Sequence, residues 1–121
     1  YSSTLPEDQV GWLNGVRDPQ VGRALALIHH DLSAPWSVEG LAKEVGASRS
    51  AFIDRFTNLV GTSPIRYLTT LRLQTAKLRL RAPGKTISQV AFSIGYNSEE
   101  AFSRAFKREF GTPPARWREL R

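Results

Sequence analysis

Apolar positions recur every three or four residues along this chain, the period of an amphipathic helix, and no stretch alternates as a half-buried strand does. Val21, Leu25, Ile28 and Leu32 form the first stripe. Asp18-Pro19 stands before it as an N-cap followed by a first-turn proline, and Pro35 ends it. Ser37 caps a second helix with Leu41, Ala42 and Val45 inward, and Trp36 is placed to staple onto Leu41. Gly46 stops that helix. Ser48 caps a third, with Phe52, Phe56, Leu59 and Val60 inward, and Gly61 stops it. Thr62 or Ser63 opens a fourth, with Pro64 near its first turn. It runs to about Arg81, with Tyr67, Leu68, Leu71, Thr75 and Leu78 on one face. Ala82-Pro83-Gly84 breaks the chain.

After the break the pattern returns. Thr86 and Gln89 form a capping box, Ile87, Val90, Ala91 and Ile94 face inward, and Gly95 stops the helix. Ser98 caps the next, with Phe102, Phe106 and Phe110 inside, and Gly111 ends it. Thr112-Pro113-Pro114 opens a last helix bearing Trp117 and Leu120. Residues 1–17 hold no sustained period and read as a linker or tail. The predicted fold class is all-α, with about seven helices.

The two halves superpose. At an offset of 49, Val38, Leu41, Ala42, Val45 and Gly46 meet Ile87, Val90, Ala91, Ile94 and Gly95. One extra residue enters the second turn. At an offset of 50, Ser48, Ala51, Phe52, Phe56, Gly61, Thr62, Pro64 and Arg66 then meet identical residues. Each copy is a helix, a short glycine turn and a second helix, the helix-turn-helix arrangement. The expected organisation is a first subdomain over 18–62, a connecting helix over 63–82 and a second subdomain over 83–121.

Charge narrows the partner. Residues 1–48 carry three basic and six acidic side chains, whereas residues 49–121 carry fourteen and five, a net of +9. Such a field attracts polyanions, either nucleic acid or an anionic surface. The chain has no cysteine, which removes disulfides, thiolate metal sites and cysteine nucleophiles. Its two histidines are adjacent and diverge by about 100° on a helix, a poor metal pair. No nucleophile–base set or glycine-rich phosphate loop is present, so neither an enzyme nor a cofactor is expected. No apolar run approaches the ~20 residues of a membrane span.

These residues resemble the C-terminal DNA-binding domain of AraC/XylS-type transcription regulators over roughly 18–120. The most specific stretch holds Val90-Ala91, Gly95-Tyr96, Ser98, Phe102-Ser103-Arg104, Phe106-Lys107-Arg108, Phe110-Gly111, Pro114 and Arg116-Trp117-Arg118. The resemblance implies two helix-turn-helix subdomains bridged by one long helix and bound to successive major-groove segments of double-stranded DNA. It also implies a cytoplasmic regulator, leaning toward activation by contact with RNA polymerase. A separate effector or dimerisation domain is implied too. On that expectation the chain is a fragment, monomeric by itself, and the full-length protein dimerises through the missing domain.

Phenylalanine spacing fixes which side chains point away from the body. In the first recognition helix these are Ser50, Asp54 and Thr57, with Ile53 at the flank and Arg49 at the N-terminus. In the second they are Glu100, Arg104 and Lys107, with Ser103 at the flank and Glu99 at the N-terminus. Arg104 and Arg49 suit bidentate contact with guanine, Glu99 and Glu100 a cytosine amino group, and Ile53 a thymine methyl. Asp54, where the second helix has Arg104, either makes a base contact with a cytosine amino group or marks the first helix as the weaker reader. Ser50 and Ser103 complete the base-facing rows. Phosphate contacts are expected from helix starts and basic flanks: Ser37, Ser48, Thr57, Thr62, Lys85, Thr86, Ser98, Lys107, Arg108 and Thr112. The run Arg72, Lys77, Arg79, Arg81 reads as a solvated helix face. The competing expectation is a basic helical module for an acidic protein or anionic membrane surface, which has no use for two matched turns.

Overall fold

The computed structural model of the protein describes residues 15–120. Among these residues every regular element is helical. The order is α1 (Pro19–His30), α2 (Val38–Val45), α3 (Arg49–Val60), α4 (Pro64–Leu80), α5 (Ile87–Ser93), α6 (Glu99–Phe110) and α7 (Pro114–Leu120). The helices begin where side chains satisfy otherwise unpaired N–H groups. The Asp18 carboxylate accepts from the N–H groups of Gln20 and Val21. Ser37, Ser48 and Ser98 each accept from the N–H three residues on. The capping box closes in both directions, Gln89 N–H to Thr86 Oγ1 at 3.0 Å and Thr86 N–H to Gln89 Oε1 at 2.8 Å. At the head of α4 the cap is Ser63, which accepts from Arg66 N–H, rather than Thr62.

The helices fall into two compact units, residues 15–31 with 36–68, and residues 32–35 with 69–120. In the first, Phe52 and Phe56 of α3 are fully buried, as are Val21 and Ile28 of α1 and Leu41 of α2. The two phenylalanine rings meet at 5.7 Å, and Tyr67 meets Phe56 edge-on at 5.8 Å. Polar groups on α1 clasp the end of α2: Arg23 Nε donates to Glu44 O at 3.3 Å and Gln20 Nε2 to Val45 O at 3.4 Å.

The second unit is built alike. Leu73, Ala76 and Leu80 of α4 pack with Val90, Ala91 and Ile94 around Phe102 and Phe106. Phe110 and Trp117 approach Phe106 edge-on, with centroids 4.7 and 6.2 Å away. Arg79 Nη1 donates to Ser93 O at 3.0 Å. Ser93 is the counterpart of Glu44 at offset 49, so both helix-turn-helix pairs have this carbonyl held by an arginine of the preceding helix. In each unit the helix before the pair thus takes part as well, which the sequence repeat does not show.

Several expectations change. Of the stretch 1–17 read as a linker or tail, residues 1–14 lie outside the described residues, whereas 15–17 are helical and Gly15 is buried. Helix α1 stops at His30, well before Pro35, and Leu32 packs on the core of the second unit. Leu78, expected inward, is 69 % exposed. Helix α4 carries leucines on several sides, and the second unit takes up Leu73, Ala76 and Leu80 at helical spacing, which turns Leu78 outward.

The basic run on α4 is not a free solvated face either. Arg72 Nε donates to Leu32 O at 3.0 Å and its Nη2 to Ala34 O at 2.7 Å. Lys77 lies over the Phe110 ring at 4.4 Å, and Arg81 over the Trp117 ring at 5.2 Å. Each of the four cationic heads, Arg79 included, thus has a partner. Periodicity registers only the charge.

Candidate nucleic-acid interface

Burial of Phe52 and Phe56 determines what the rest of α3 presents. Arg49, Ser50, Asp54 and Thr57 are exposed, and Ile53 is half-buried at the flank. The same logic on α6 leaves Glu99, Glu100, Arg104, Lys107 and Arg108 exposed, with Ser103 half-buried. Every side chain expected to face outward or to stand at the flank does so. Positions correspond at offset 50, but their chemistry differs. The α6 row ends in three cations, whereas the α3 row places Asp54 where α6 has Arg104.

The helix starts flank these rows. Ser37, Ser48 and Thr86 are exposed and Ser98 is half-buried. Each oxygen accepts a capping N–H, which leaves its O–H to donate outward. Lys85 is exposed immediately before α5, and Thr62 and Thr112 are half-buried in the turns after α3 and α6.

Both rows begin with a residue tied to the preceding helix. Arg49 Nε donates to Glu39 Oε2 of α2 at 3.0 Å, with both side chains well exposed. Ser88 Oγ of α5 donates to Glu99 Oε1 at 2.5 Å. Glu39 and Ser88 are themselves counterparts at offset 49, so the same junction is bridged in each unit. Hydrogen bonds from its own N–H and from Arg49 hold the Glu39 carboxyl below its ordinary value. Sequence reasoning missed these two partners, although the repeat alignment already sets them opposite each other.

A third tie concerns Arg55 of α3. Its Nε donates to Asp18 Oδ1 at 2.7 Å, and its Nη2 bonds the same oxygen. The Asp18 side chain is only 6 % exposed. The Arg55 hydrogen bond holds its carboxyl below the usual range, against the opposing effect of burial. Beside this pair a shallow groove is lined by Gln20, Asp54, Asn58 and Leu59. In the second unit the position matching Arg55 is Ala105, so this ion pair has no counterpart there. Burial lowers the pKa of Arg72 and raises that of Tyr96 nearby.

Among the described residues no group of three or more His, Asp or Glu side chains is placed to hold a metal. No described helix is long and apolar enough to cross a membrane.

Two glycine-turned helix pairs, each with an exposed second helix, define a helix-turn-helix protein. A family model described as a helix-turn-helix domain matches residues 41–120. An AraC-like transcription regulator of Streptomyces lividans is 42% identical over 113 residues, which is 93% of this chain and 37% of that protein. The DNA-binding domain of AdpA, a global transcriptional factor solved with a target DNA, aligns at a TM-score of 0.80 and 31% identity. That alignment covers 85% of this chain and 92% of AdpA's. The C-terminal domain of AraT, a response regulator from Geobacillus stearothermophilus, aligns at 0.81 and 28% identity, over 86% and 87%. The chain belongs to the AraC-type helix-turn-helix family of transcription regulators, and it spans just over a third of the length of the curated relatives it matches.

Proposed function

We propose that this domain binds double-stranded DNA sequence-specifically to control transcription, with α3 and α6 each entering a major-groove segment. The observation that carries this function is the pair of matched, exposed rows, each fixed outward by two buried phenylalanines. The solved AdpA domain with its target DNA supports it.

Arg104 supplies the principal base contact, bidentate to guanine O6 and N7, and Arg49 plays that part in the first unit. Glu99 and Glu100 accept from cytosine amino groups, Ile53 packs on a thymine methyl, and Ser50 and Ser103 fill the rows. Asp54 makes α3 the weaker reader, since a carboxylate near phosphates opposes binding. The capping hydroxyls of Ser37, Ser48, Thr86 and Ser98 contact phosphates, with Thr57, Thr62, Lys85, Lys107, Arg108 and Thr112. The family resemblance leans toward activation through RNA polymerase, in the cytoplasm. On this reading the subdomains are 18–62 and 83–121, with the helix over 63–82 between them in sequence, and each subdomain carries one recognition helix.

Selection of bound sites from random duplexes tests this. Two short boxes about one helical turn apart are expected, at ~10 base pairs centre to centre. Equal retention of unrelated sequences would overturn it.

A further inference from the structure

We propose that Glu39 and Ser88 are positioning residues for base recognition, each holding the first residue of its recognition helix in the rotamer that meets the DNA. The inference rests on the base contacts proposed above for Arg49 and Glu99. The geometry is the Arg49 Nε–Glu39 Oε2 bond at 3.0 Å in the first unit and the Ser88 Oγ–Glu99 Oε1 bond in the second.

The two bonds occupy one junction of the repeat with their chemistry reversed. In the first unit the acceptor stands on α2 and the donor opens α3. In the second the donor stands on α5 and the acceptor opens α6. Polar contacts left on a surface by chance have no reason to recur at matched positions with donor and acceptor exchanged. Recurrence points to a demand of the site itself.

Physical chemistry supplies that demand. An unrestrained arginine or glutamate at a helix start samples several rotamers and loses that freedom when it docks on a base. Glu39 engages only the Nε edge of Arg49. The two terminal nitrogens of the guanidinium then remain for guanine O6 and N7. Ser88 engages one oxygen of Glu99, which leaves the other for a cytosine amino group. An exposed ion pair contributes little to folding stability, so loss of Glu39 is expected to leave the fold intact.

The test uses the chain as it stands and a panel of duplexes in which each base pair of its selected site is replaced in turn. Arg49→Ala is expected to reduce discrimination at a defined subset of base pairs by about tenfold or more. Glu39→Ala should reduce it at that same subset by about threefold or more and leave other positions within about twofold. It should add nothing in the Arg49→Ala background. Glu39→Gln, whose amide oxygen still accepts from Nε, should restore most of the discrimination. Ser88→Ala should reproduce, more weakly, the positions lost in Glu99→Ala. Helix content by circular dichroism accompanies each variant, and Glu39→Gln and Ser88→Ala keep the test open should Glu39→Ala unfold.

Three results would overturn the proposal and leave the base contacts standing: Glu39→Ala without effect on a panel that Arg49→Ala narrows, a uniform loss at every base pair, or a gain at the Arg49 subset. If Arg49→Ala and Glu99→Ala change discrimination at no base pair, the base-contact assignment falls and the positioning role with it.

Discussion

Arg104 sits mid-helix on the exposed side of α6, opposite the buried Phe102 and Phe106. Its replacement by alanine should cost about 1–3 kcal/mol at particular base pairs, read from binding to single-substitution duplexes. A uniform loss would reassign it to a phosphate. Asp18 acts on folding instead. Its carboxyl is held below the ordinary value in the folded chain, chiefly by the Arg55 hydrogen bond. The unfolded chain therefore takes up the proton first as pH falls. The stabilisation is fully present above the unfolded pKa of about 3.9 and is lost as pH drops through the lower folded value. Asp18→Asn keeps a capping acceptor but removes the charge. Urea midpoints followed through that acid window should fall less steeply in the variant. Asp18→Ala also removes the cap and should cost at least about 1 kcal/mol at neutral pH.

At the scale of helices and turns, the two stop glycines separate backbone strain from crowding. Gly46 and Gly95 both have positive φ, 75° and 104°. A Cβ at Gly46 would meet nothing within 4 Å, whereas one at Gly95 would lie 2.8 Å from the Arg72 guanidinium. Gly46→Ala should therefore cost only the left-handed backbone penalty, about 1–2 kcal/mol. Gly95→Ala should cost more, since it also pushes against the bonds Arg72 makes to Leu32 and Ala34. Thermal unfolding of the two variants checks the order.

Turns, caps and phenylalanine positions were legible because each is a local demand. So was the outward direction of the site residues, which follows once Phe52 and Phe102 point in. The face of α4 was not legible, because its leucines permit more than one stripe and the packed unit selects among them. Nor were the ties made by Glu39, Arg55 and Arg72, whose partners lie ten to forty residues away in sequence. Distant partners of that kind leave no periodic trace.

For the molecule as a whole, the excess of cations over 49–121 makes binding a problem of ion exchange. The log of the association constant should fall linearly with log salt, each neutralised phosphate adding about 0.9 to the slope. Lys107→Ala should lower that slope by about 1 and leave base preference unchanged, as titrations at several salt concentrations would show. Residues 32–35 have a different consequence. They are threaded between stretches of the first unit yet belong with the second, where two of their carbonyls receive Arg72. A scissor cut at the internal duplication would thus hand one half an arginine whose acceptors went to the other.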